Sequence, residues 1–161
     1  MPMILAPRCF SREWLRSLRS DPILWEKAVH AYELIGRLAE HDIEFVFKGG
    51  TCIPILLGRI HRLSIDVDIL GELDGERLVS VLNEICSEPP FFRVEEDDRG
   101  DRGLPARRHF KLYYNSVIQE NNRVAWVILD VVNERNLYPN VRMLPISGEF
   151  PSQGFIEMAF F

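Results

Sequence analysis

Cysteine, histidine and lysine are scarce in this 161-residue chain, and long apolar runs are missing. The three cysteines, Cys9, Cys52 and Cys86, are odd in number, widely spaced and free of any Cys-x-x-Cys pair. That excludes a disulfide framework and a zinc ribbon and leaves them as reduced packing residues. No apolar stretch approaches the roughly 18 to 20 residues that span a bilayer. The apolar amino terminus is interrupted by Pro2, Pro7 and Arg8, with no small-residue cleavage site after it, so neither anchor nor secretion signal is expected and a cytoplasmic setting is. A positive balance is also lacking: a formal charge of -5 and a pI near 5.4 exclude a protein that coats nucleic acid by bulk electrostatics, though not an enzyme that touches it locally. Only Lys27, Lys48 and Lys111 of the 19 basic residues are lysine, so each lysine can be weighed individually.

What remains is the composition of one soluble globular domain, 47% hydrophobic and 27% charged, with no repeat or low-complexity tract. Apolar residues from Ile23 to Leu38 recur at helical spacing behind Asp21-Pro22, predicting a helix over Pro22 to His41. Ile43 to Phe47 reads as a buried strand that runs into the Gly49-Gly50 turn, after which Thr51 caps a short helix over Cys52 to Gly58. Ile65 to Leu70 alternates acid and apolar residues as a strand does, and Asp74 caps a helix over Gly75 to Cys86 that Pro89-Pro90 stops. Three more strands are predicted, Phe91 to Glu95, Arg108 to Asn115 and Arg123 to Val132, the first two joined by a charged connection, Glu96 to Pro105. Beyond Asn133 the proline and glycine content predicts an irregular tail.

Asp66 and Asp68, two apart on one strand, put two carboxylates on one face, where both stay ionised only with a cation between them. Oxygen ligands without histidine or cysteine favour Mg²⁺ or Mn²⁺ over Zn²⁺, and such ions bridge triphosphate oxygens in phosphoryl and nucleotidyl transfer. Upstream, Lys48-Gly49-Gly50-Thr51 stands at a strand end before a helix, where backbone N–H groups can approach a phosphate. Either feature alone is compatible with a surface strand and a plain turn; one short helix apart, they describe a nucleotide triphosphate site. Arg107 to Tyr114 alternates basic and aromatic residues, a pattern for acceptor backbone or a stacked base, or for a solvated face opposite Phe110 and Leu112. His30, His41 and His61 have no partner at ligand spacing and are assigned no role.

Phe47-Lys48-Gly49-Gly50-Thr51 followed by Arg62-Leu63-Ser64-Ile65-Asp66-Val67-Asp68-Ile69 resembles the K-G-G-T … R-x-S-x-D-x-D signature of the AbiEii/AbiGii-type nucleotidyltransferases. These are the toxins of type IV toxin–antitoxin systems, within the DNA polymerase β-like superfamily. The resemblance covers about residues 25 to 135. It implies an α+β fold, a mixed sheet flanked by helices, and transfer of a nucleoside monophosphate from an NTP to an acceptor hydroxyl, in several relatives the tRNA 3′ end. It also implies a cognate antitoxin. The superfamily expects a third acid on a later strand, and Asp130, the one acid in Val124 to Val132, fills that position as general base or as metal ligand with Asp66 and Asp68. Lys48, Gly49, Gly50, Thr51, Arg62 and Ser64 are then the candidates around the nucleotide, Lys48 either touching a phosphate or ending its strand. Relatives continue into a helical half that supplies a further lysine and acid. Here residues 136 to 161 are an irregular tail, so a natural short form, a truncated product and a partner-supplied half all stay open. The apolar segment Phe155 to Phe161 is expected to dock on the domain or on a second subunit. Two other readings remain: a catalytically degenerate domain of this fold that acts by binding a protein, and a small-molecule nucleotidyltransferase of the antibiotic-modifying kind.

Overall fold

A computed structural model describes residues 3–18, 20–53, 63–97, 106–143, 145–152 and 155–159, with backbone alone at residue 122 and beyond residue 143. Residues 54–58 of the expected helix over Cys52 to Gly58, Arg62 and most of the connection after Glu96 therefore lie outside the described residues. After a 3₁₀ turn at Pro7–Phe10, α1 (Arg12–Ser17) leads to the central helix α2 (Pro22–Glu40). Asp21 caps α2 by accepting a bond from the Ile23 N–H at 2.9 Å, and Pro22 occupies the first turn, where its missing N–H costs nothing.

Nearly all of α2 is buried, and Glu26, His30, Glu33 and Arg37 form a polar stripe that has to find partners inside. Glu26 accepts bonds from Ser116 Oγ at 2.6 Å and the Val117 N–H at 2.7 Å, and His30 Nδ1–H donates to the Glu26 carbonyl at 2.7 Å. Glu33 accepts from the Ile4 and Leu5 N–H groups at 3.0 and 2.9 Å and pairs with Arg37 at 2.9 Å, while Arg37 donates on to the Pro89 carbonyl at 2.5 Å. Through this stripe the helix holds the amino-terminal segment, the Pro89 turn and the residues after Asn115 against one another.

The sheet is mixed. Strands β1 (Val46–Lys48), β2 (Asp66–Gly71), β3 (Phe91–Glu96), β4 (Ala106–Asn115) and β5 (Val124–Asn133) are arranged in the order β1-β2-β5-β4-β3. The central pair, β2 and β5, is parallel and every other neighbour is antiparallel. α2 and α3 (Gly75–Ile85) pack on one face, over Val67, Ile69, Phe110, Leu112, Val127 and Leu129, all nearly inaccessible. Alternation then forces Asp66, Asp68, Asp130, His109 and Lys111 onto the opposite face. The expected α+β class and mixed sheet flanked by helices are what the chain adopts.

Two expectations need correction. The strand over Ile43 to Phe47 shrinks and shifts to Val46–Lys48, because only those residues pair with Leu70, Ile69 and Asp68 of β2; Ile43 and Phe45 are buried without joining the ladder beyond it. The tail is not irregular throughout: β6 (Pro145–Ser152) and β7 (Phe155–Ala159) form an antiparallel hairpin. Proline is tolerated there because both strands of a two-stranded sheet are edges, where a missing N–H leaves no ladder partner stranded. The side chains of the expected apolar docking segment lie outside the described residues.

Candidate active site

The site is built on one rung that crosses four strands. Lys48 of β1 stands opposite Asp68 of β2, Asp68 opposite Asp130 of β5, and Asp130 opposite His109 of β4. The parallel pairing of β2 and β5 sets two carboxylates side by side, although 62 positions of numbering separate Asp68 from Asp130. Asp66, two residues before Asp68, is exposed on the same face.

Gly49 closes the rung at the edge. Its φ is +82°, and a Cβ built on it would run into Asp68 Oδ2, with Asp68 Cγ only 3.2 Å away. Any other residue would be strained in its backbone and would displace the carboxylate. The turn is pinned from both sides: the buried Thr51 donates its hydroxyl to the Asp66 carbonyl, and Tyr32 of α2 donates to the Thr51 carbonyl at 2.9 Å. Thr51 thus holds the glycine turn to the start of β2, and its hydroxyl faces protein. Gly50 and Ser64 are half-buried, the one directly after Gly49 and the other two positions before Asp66 in the chain.

Electrostatics single out Asp68. Burial pushes its carboxyl above the usual carboxylate range, the neighbouring Asp130 and Asp66 carboxylates push the same way, and Lys48 alone opposes them. Asp130 accepts a hydrogen bond from His109 Nδ1. Beyond the general-base or metal-ligand role expected of that carboxylate, the structure sets an imidazole beside it. His109 was placed only within a basic and aromatic stripe, and the period-two alternation of β4 is the one signal that could have put it on the acid face. Among the described residues, no group of three His, Cys, Asp or Glu side chains is arranged to hold a metal ion. The three aspartates share a face, but the built core of the site is the pair Asp68 and Asp130.

A protein-family model described as the nucleotidyl transferase AbiEii toxin of type IV toxin–antitoxin systems matches residues 33–159. The chain belongs to that family. All the AbiEii signature residues that the structure describes, Lys48 through Thr51 and Ser64 through Asp68, lie along the acid rung or lead into it. No curated protein matches this AbiEii chain. Among solved structures it is similar to JHP933 from Helicobacter pylori, at 17% identity and a TM-score of 0.46 over 83% of this chain and 50% of that one. It is likewise similar to MenT4, a nucleotidyltransferase toxin from Mycobacterium tuberculosis, at 17% identity and a TM-score of 0.45 over 91% of this chain and 51% of that one. The chain thus spans about half the length of these structures. Among the described residues no helix is long and apolar enough to cross a membrane.

Proposed function

We propose that this AbiEii-family chain is a cytoplasmic nucleotidyltransferase that moves a nucleoside monophosphate from an NTP to an acceptor hydroxyl, breaking the α–β phosphoanhydride bond and releasing pyrophosphate, the 3′ end of a tRNA being the acceptor best suited to the family, under the control of a cognate antitoxin. The observation that carries the reading is the rung Lys48, Asp68, Asp130 and His109, closed by a glycine whose Cβ position an Asp68 oxygen already takes.

Mg²⁺ or Mn²⁺ fits the donor chemistry. Mg²⁺ is usually held by one or two carboxylates plus substrate phosphates and water, which matches two facing aspartates better than a closed three-ligand cage. Burial first, and then the neighbouring Asp130 and Asp66 carboxylates, lift Asp68, and a divalent cation relieves the repulsive part. Asp68 and Asp130 would hold the ion, with Asp66 beside them, and bound there it would neutralise charge on the triphosphate. The chain's own residues do the rest. Gly49 and Gly50 let the backbone approach a phosphate, Lys48 offers a point charge to it, and Ser64 and Arg62 are assigned to the triphosphate on the family signature alone. Asp130 accepts the proton of the acceptor hydroxyl, and His109 fixes the orientation of that carboxylate.

The test is label transfer from each of the four NTPs to a total tRNA pool with Mg²⁺ or Mn²⁺. Transfer is expected, and a loss of a hundredfold or more in Asp68→Asn and Asp130→Asn, about the size of one lost catalytic group. Absence of transfer by the unaltered chain, or full transfer by Asp68→Asn, would overturn the reading.

A further inference from the structure

Four residues along β5 from Asp130, on the same face, stands Trp126. We propose that this indole and the two ammonium groups over it are the docking surface for the unpaired strand of a nucleic-acid acceptor, whose terminal hydroxyl is delivered to the acid rung. The proposal rests on the transferase reading above and deepens it.

Trp126 is 38% exposed, with Lys27 Nζ 5.5 Å and Lys111 Nζ 5.3 Å from its ring centroid. Two of the chain's three lysines thus meet at one ring, and the third, Lys48, is in the acid rung, so an acidic protein has gathered all its lysines along one route. Lys27 interrupts the buried run of α2 to reach this place, and among the described residues it pairs with no carboxylate. Tyr113, covered by the Arg93 guanidinium at 4.1 Å, packs 5.9 Å from Trp126 and supports it from β4. Among the described residues two acids are engaged with groups of the patch: Glu95 accepts from Tyr113 at 2.7 Å and lies 3.4 Å from Arg93, and Asp97 lies 4.0 Å from Lys111.

An exposed aromatic ring flanked by cations is what a single strand needs, a platform for a base and charges for its phosphates; a duplex keeps its base faces stacked and offers none to the ring. Spacing agrees. Four strand residues cover about 13 Å, roughly four nucleotides at the stacked repeat of about 3.4 Å, so a short unpaired tail seated at Trp126 ends at Asp130.

Fluorescence anisotropy of a labelled unpaired oligoribonucleotide tests this on the full chain. Trp126→Ala is expected to weaken binding about five- to a hundredfold, and Lys27→Ala with Lys111→Ala to flatten the slope of log K against log salt by about 1.4. The lysine pair is an independent arm should Trp126→Ala fold poorly. Arg77→Ala, on α3 over the opposite face of the sheet, should bind the strand as the unaltered chain does. Equal binding by all variants, equal affinity for a blunt RNA duplex, no binding by the unaltered chain, or a Trp126→Ala defect confined to NTP binding would each overturn the proposal. Patch-dependent binding without label transfer would overturn the transferase reading alone; label transfer indifferent to the patch would overturn this inference alone.

Discussion

Gly49 and His109 act on the two carboxylates of the rung from opposite ends, and each makes a prediction at the scale of one side chain. In Gly49→Ala the methyl has to occupy space now filled by an Asp68 oxygen while the backbone stays at a φ of +82°. The variant should lose about 1 to 3 kcal/mol in a urea titration and, because Asp68 moves, more than tenfold in transfer. In the proposed reaction His109 acts only through Asp130, which it touches, and so serves as a positioning residue. His109→Ala should lower transfer about ten- to a hundredfold, as loss of an orienting partner does. His109→Asn, which keeps an N–H donor, should recover part of it, with the thermal midpoint little changed in both. Equal rates for the Ala and Asn variants would make His109 a mere strand neighbour. The two residues differ in how openly the sequence declared them. Gly49 is legible because glycine after a strand has few uses, whereas His109 is one polar residue among several on an alternating strand, and its meaning depends on which strand lies beside it.

Among the elements, α2 carries the most weight. Its apolar periodicity and its Asp21-Pro22 start are local, so the expected and observed helices differ by one residue, His41, which now caps it. Its polar stripe is not local. The side chains of Glu33 and Arg37 are both fully inaccessible, and their bonds run to residues 28 to 52 positions away. Removing one member of such a pair strands the other: Arg37→Ala should cost about 3 to 5 kcal/mol in chemical denaturation. The double variant Glu33→Gln with Arg37→Met should cost less than the sum of its single changes. Additive losses would mean that the two side chains do not act as a pair. The strands follow the same division. β2, β4 and β5 are legible to within two residues because period-two alternation needs only near neighbours. β1 is shorter than its apolar run, and β6 was missed, since burial outside a ladder and proline on an edge strand are decided by what lies alongside.

At the scale of the whole molecule, the closure of α2 onto the sheet should be visible in the pH dependence of stability. His30 is enclosed, stacked 3.6 Å from the Tyr114 ring, and burial holds its pKa down at about 4 from an ordinary 6.5. The unfolded chain therefore takes up a proton that the fold refuses. The stability that depends on neutral His30 is complete above pH 6.5 and is lost as the pH falls towards 4, by about 3 kcal/mol in all. Glu26, pushed up by burial, works in the opposite sense: its contribution is complete below the ordinary carboxylate range and declines as the pH rises through its raised value. Urea midpoints between pH 7.5 and 4.5 should fall more steeply for the unaltered chain than for His30→Phe; parallel curves would show that His30 does not govern the acid side.

By itself the sequence determined the kind of protein this is. The glycine turn, the Asp-x-Asp strand and the helical and strand periodicities are short-range patterns, readable because sterics and alternation act over a few residues. Family membership follows from the same stretch. Tertiary structure alone decided that β2 and β5 lie parallel, and with that pairing it set Asp130 beside Asp68, His109 beside Asp130, and Lys27 and Lys111 together at Trp126. Register between strands far apart in the chain is set by which faces the helices bury and by the polar groups that must be satisfied inside, and neither is a property of any one segment.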